Sequence, residues 1–365
     1  MLFAFFATVW QFGNLSVPSA GHTAVLQSDG RVVVMGGTDT RTIELIDLRR
    51  RSRSIDAIAD ATPVPLDSHA AAILDDGRIL LTGGSFTGDR TTMTGTWGNR
   101  RADLYDPGRG EVVPAGTMND ARQSHEATRL ADGRVLITGG ATISKTSFIV
   151  QTFVSDRAEL FDPATGAFRP VGPMRSTRYG HTATLLPDGR VLITGGSAYR
   201  PFPQWSEPLA STEIFDPRTE TFEPGPDMTM KRIGHTATLL DDGRVAIAGG
   251  RAWPTAPATG STEIFDFRTN ALTQGPDIGA RAGHTATRLP SGRVLFFGGA
   301  DDAVLYDFRT GALVERTPLA IARAHHAATL LSDGTVLITG GVLDSTRLRD
   351  ILVYGPTTPR RRSVR

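Results

Sequence analysis

Short apolar runs alternate with Asp-Gly and Gly-Gly breaks along almost the whole chain. In residues 181–196 the string is His-Thr-Ala-Thr-Leu-Leu-Pro-Asp-Gly-Arg-Val-Leu-Ile-Thr-Gly-Gly, and close variants occur seven times. His181–Leu186 reads as a strand rich in Thr and Leu. Asp188-Gly189 between two apolar runs predicts a hairpin, because such a turn needs the positive φ that Gly and Asp tolerate. Val191–Thr194 has no polar face, as expected of a strand covered on both sides. Gly195-Gly196 ends it, where absent Cβ atoms permit close backbone approach and unusual φ. A third strand follows at Thr212–Phe215, then an Asp216-Pro217 turn, in which Asp bonds forward and Pro presets φ. Phe222 opens a fourth strand.

The repeat is strict where it matters. The Gly-Gly pairs begin at 36, 83, 139, 195, 249, 298 and 340, and a histidine lies 14 positions before each: His22, His69, His125, His181, His235, His284 and His326. The distance between successive pairs runs from 42 to 56 residues. A rigid unit with elastic connections predicts a repeat architecture. Four short antiparallel strands per unit, arrayed about an axis, make a propeller blade.

These residues resemble kelch repeats of the bacterial type, on the Gly-Gly pair, the third-strand aromatic before Asp-Pro and the fourth-strand aromatic. The resemblance covers essentially the whole chain. The third-strand aromatic is Tyr105, Phe161, Phe215, Phe265, Tyr306 or Tyr354, but Ile46 in the first unit. The fourth-strand Trp of the family is replaced by Phe168, Phe222, Leu272 or Leu313. The expected fold is an all-β, seven-bladed kelch-type propeller with four antiparallel strands per blade, a single domain over 1–356. The last unit has three strands, and an orphan apolar segment precedes the first. Residues 7–15 are therefore expected to supply the outer strand of the seventh blade and close the ring. Residues 357–365, which are Arg-rich, are expected to form a basic disordered tail.

Composition narrows function mostly by exclusion. A net charge of +1 gives no electrostatic case for nucleic acid. The apolar start, Met1–Trp10, is too short to span a bilayer. There is no Cys, which excludes disulfides and Cys metal sites. The repeat histidines sit on separate strands and would not converge within the ~2.1 Å of a metal bond. Each is expected to be neutral and bonded to a neighbouring backbone carbonyl. Only His325 lies outside the repeat. The residues call for no cofactor.

With strands labelled A to D from the axis outward, the A–B and C–D turns share one face and the B–C and D–A connections share the other. The second set varies in length, and variable loops on a rigid scaffold are where binding resides. The B–C loops of units two to five carry Phe86, Trp97, Phe153, Tyr199, Phe202, Trp205 and Trp253. The D–A connections add Arg122, Arg178, Arg232, Arg281 and Arg323, each three residues before its histidine. The candidate ligand-binding set is Trp97, Tyr199, Phe202, Trp205, Trp253 and these five arginines. The aromatics suit a glycan or a protein anchor, or else fold back over the blades. The arginines suit carboxylate or sulfate, or else pair within the framework with Glu44, Glu159, Glu213 and Glu263, which is the favoured reading.

The leading expectation is a monomeric, non-catalytic binding propeller for a protein or glycan, secreted or at the cell envelope rather than cytoplasmic. One alternative is a metal-free epimerase or mutarotase of kelch type, drawing on Glu207 or Asp89. Another is a structural module of a larger surface protein. Kelch propellers also resemble the copper-radical oxidases of the galactose oxidase type. That activity requires a Cys-modified Tyr, which a chain without Cys does not have.

Overall fold

A computed structural model describes residues 7–37, 41–49, 53–84, 86–89, 94–147, 149–201 and 204–356. The expected tail, 357–365, lies outside them. The described residues form strands and turns without an α-helix, and ten antiparallel sheets in all. Seven of these are four-stranded units built on the repeat.

The fourth unit shows the construction. Its strands are Thr182–Leu185, Val191–Thr194, Thr212–Asp216 and Thr221–Pro224. Strand B is buried along its whole length, as is every other B strand, so its unbroken apolar run meets neighbouring blades on both faces. The A–B turn is tied by the Asp188 carboxylate, which accepts from the Arg190 backbone N–H at 3.1 Å and from its Nε at 2.8 Å. Phe215 and Phe222 stack across strands C and D with centroids 4.9 Å apart. Seven apolar clusters, each shared between adjacent sheets, fill the spaces between blades.

The inner A strands touch in the cyclic order of the units, and the last, Ala327–Leu330, touches the first, Thr23–Leu26. The N-terminal strand, Ala7–Asn14, pairs antiparallel with Asp350–Pro356 as outer strand of the sheet holding the last repeat. Val9, opposite Tyr354, takes the place that Phe168 holds opposite Phe161. The adjacent Trp10 is 38% exposed.

The long B–C loops are not open loops. In unit two, Phe86–Asp89 and Thr94–Trp97 form a hairpin, and in unit three so do Ala141–Lys145 and Val150–Val154. The two hairpins join through pairs such as Ile143 with Trp97, giving an additional four-stranded sheet. Unit four raises a further hairpin, Ser197–Pro201 with Gln204–Pro208.

Candidate functional site

The repeat histidines belong to the scaffold, through a partner that the sequence reading missed. Each Nε2 meets a threonine hydroxyl of the preceding blade instead of a backbone carbonyl. His125 meets Thr82 at 2.8 Å, His181 meets Thr138 at 2.8 Å and His22 closes onto Thr339 at 2.7 Å. The Gly-Gly pair makes this approach possible. A Cβ on Gly195 would lie 2.7 Å from the Arg232 carbonyl oxygen and 2.8 Å from His235 Cε1, and its φ is +57°. Burial holds the imidazoles neutral: His22 and His69 fall to about 4, His235 and His284 to about 3.

The five repeat arginines are also framework, and their place in the expected ligand set is corrected. All are buried to 2% exposure or less. Arg178 shows why: its Nη2 donates to Glu213 at 2.6 Å and its Nη1 to the Gly195 carbonyl at 3.0 Å. Arg122 pairs with Glu159 at 2.9 Å and Arg232 with Glu263 at 3.0 Å. Arg281 and Arg323 use Asp302 and Asp350 instead, shorter side chains two residues earlier on strand C. Glu44 has no such arginine, because Ser19 occupies the equivalent place. It accepts from the Ser16 backbone at 3.0 Å, and burial pushes its carboxyl up.

The residue just before each repeat histidine forms a feature of its own. Gly21, Ser68, Ser124, Gly180, Gly234, Gly283 and His325 all adopt φ between 50° and 67°. In five of the seven, this left-handed turn brings the backbone N–H onto a carbonyl of the neighbouring blade. Ser124 donates to the Ser68 carbonyl at 2.8 Å and Gly180 to Ser124 at 2.9 Å. Gly283 donates to Gly234 and His325 to Gly283, both at 2.8 Å, and Gly21 to His325 at 2.9 Å. The result is a collar of amides around the axis on the B–C/D–A face. One position back, the chain is clamped to the start of the B–C loop: Tyr179 with Ser197, Ile233 with Arg251, Ala324 with Val342.

Two adjoining hollows lie over this collar and share Tyr179. One, about 350 Å³, is lined by Tyr179, Ser197, Arg251, Pro254, Ala324 and His325 among others. The second, about 440 Å³, carries the hydroxyls of Ser68, Ser124, Thr152, Tyr199 and Ser206, with Gln123. Tyr179 Oη bonds Ser206 Oγ at 2.7 Å, fixing the ring between the hollows. No carboxylate is among the described residues lining either one. A hollow of about 340 Å³ on the opposite face lies between Asp–Arg turns, where Asp242 pairs with Arg244 at 2.7 Å and so consumes local charge.

The aromatic half of the expected set is dispersed. Tyr199 lines the larger hollow. Trp253 stands at the rim, 41% exposed, with Lys231 Nζ 5.3 Å from its ring centre and 3.0 Å from Glu207. Trp97 is half-buried within the additional sheet, opposite Ile143. Phe153 is 62% exposed on an outer strand of that sheet. Phe202 lies outside the described residues, as do the side chains of Trp205, Phe86 and Asp89. Tyr179 and the collar escaped the sequence reading, since the collar position holds Gly, Ser or His and shares only a backbone conformation.

An antiparallel all-β ring of repeated four-stranded sheets defines a β-propeller. Residues 178–229 match the Kelch motif, and the fold is that of a kelch-type propeller. No curated protein matches its sequence. Among solved structures it is similar to a fungal alcohol oxidase of the AA5 family in complex with copper, at 18% identity and TM-score 0.73, over 96% of this chain and 76% of that one. It is also similar to YjhT, at 16% identity and TM-score 0.57, over 80% of this chain and 96% of that one. At these identities the likeness is one of fold. The residues here do not fit a copper centre: no cluster of three or more His, Cys, Asp or Glu suited to a metal occurs among the described residues, and the repeat imidazoles are committed to threonines.

Proposed function

We propose that the chain is a binding propeller whose ligand, a glycan or a protein segment, lies across the B–C/D–A face over the collar. The observation that carries this reading is the pair of hollows joined at Tyr179, walled by hairpins and lined by hydroxyl, aromatic and aliphatic groups. Such a surface stacks and hydrogen-bonds a neutral ligand body. Acid–base catalysis asks for a carboxylate in reach of the ligand. Glu207, on the unit-four hairpin, is instead turned to Lys231.

The test is a glycan screen and pull-down with wild type, Trp205→Ala/Trp253→Ala, Tyr179→Ala and, on the opposite face, Asp188→Ala/Arg190→Ala. The face variants should lose capture while the turn variant keeps it. Equal capture by all four proteins would overturn the reading.

A further inference from the structure

We propose that the smaller hollow is an oxyanion subsite, in which Arg251 and His325 together hold a carboxylate or sulfate group of the ligand. This rests on the reading of the face given above and names the chemistry at one end of it.

Among the described residues, Arg251 and His325 are the only charged or ionisable side chains lining that hollow besides Tyr179. Most arginines here are committed to Asp or Glu: in the turns, in the buried pairs, and in Arg134 and Arg169 around Glu220. Arg251 has no carboxylate partner among the described residues, and its guanidinium donates to the Pro254 carbonyl at 3.2 Å. Its backbone is fixed, because residues 251 and 233 exchange two hydrogen bonds of 3.0 Å. The His325 backbone is fixed by the collar on both sides. His325 is also the one collar residue with an ionisable side chain, and its ring is not used by the repeat. At the hollow's floor the collar is interrupted, since no bond joins Gly180 to Gly234, and the Gly234 N–H has no backbone acceptor among the described residues.

A guanidinium without a counter-charge, beside an imidazole that can take up a proton, is poised for an anion, and the planar guanidinium suits an oxyanion best. The other charged groups near His325 do not compensate. Arg323 and Arg281 are spent on Asp350 and Asp302, and His326 is buried against Thr285. Burial and Arg251 both lower the protonation of His325 in the empty hollow. A bound oxyanion reverses the second effect, so binding draws a proton onto His325. By reciprocity, protonation strengthens binding by the same factor.

The seven repeat histidines remain neutral well below pH 6, so the readout is the titration of His325. Protein labelled at histidine ¹³Cε1 is titrated alone and with sodium glucuronate, sodium sulfate or glucose, and His325→Ala assigns the signal. The midpoint should rise by about 0.5 pH unit or more with glucuronate or sulfate, which is about threefold in affinity, and stay still with glucose. Arg251→Gln should raise the resting midpoint and remove the anion response. A midpoint unmoved by both anions at about 50 mM overturns the subsite. If the pull-down above still depends on Tyr179 and Trp253, that failure leaves the binding face standing. An anion response retained in Arg251→Gln overturns the role of Arg251.

Discussion

Acid should unfold this protein steeply, through the seven histidines between its blades. Each is neutral and buried in the folded ring, with its protonation pushed to about 4 or lower, yet takes a proton near pH 6.5 once the chain unfolds. The folded midpoint lies below the unfolded one, so the unfolded state binds protons first. Stability is therefore complete above about pH 6.5 and is lost as pH falls toward 4. Each histidine removes about 1.4 kcal/mol per pH unit in that window, so seven remove on the order of 10 kcal/mol per unit. That rivals the whole stability of an ordinary domain, about 5–15 kcal/mol. Unfolding at pH 5.5 should take up about six protons from the histidines. Glu126 returns about one, because burial pushes its carboxyl up to about 8 in the folded chain. The assay is denaturant unfolding followed by circular dichroism from pH 5 to 8, with calorimetry in buffers of different ionisation enthalpy to count protons. His235→Gln should lower the uptake by about one and flatten the slope by about 1.4 kcal/mol per unit. Uptake of fewer than about two protons would refute the reasoning, since the imidazoles would then be protonated inside the fold.

Other outcomes follow from the same contacts. Arg178→Met leaves Glu213 buried without its partner and should cost about 3–5 kcal/mol in denaturant unfolding, much of it regained by adding Glu213→Leu. Gly195→Ala should cost about 3 kcal/mol, from a Cβ pressed on the Arg232 carbonyl and from its positive φ. Removing residues 1–15 bares the edge of Asp350–Pro356 and should lower the melting temperature and promote self-association in light scattering. A truncated chain as stable and monomeric as the full one would show that the N-terminal strand does not close the ring.

The blade was legible because its constraints are local. Asp-Gly needs its turn within four residues, and strand B declares its double burial by having no polar face. The Arg178–Glu213 pairing was legible too, as two positions repeating in step. What the sequence hid involves residues distant along the chain. The threonine partner of each histidine lies in the preceding blade, and a fixed spacing within one unit says nothing of it. The additional sheet joins Trp97 to Ile143 across two units, so each loop alone carries no pairing signal. Asp302 and Asp350 replaced glutamate by moving two residues, which keeps the strand face and breaks the motif. The collar is a backbone conformation shared by Gly, Ser and His, and hence invisible as a residue pattern.

The repeat supplies a rigid scaffold, and the proposed binding face is the B–C/D–A side. The most direct test is hydrogen–deuterium exchange of the protein with and without a ligand recovered from the screen. Protection should fall on residues 178–181, 197–208 and 251–258, and spare the A–B turns at 187–190 and 241–244. Protection confined to those turns would contradict the account and move the function to the opposite face.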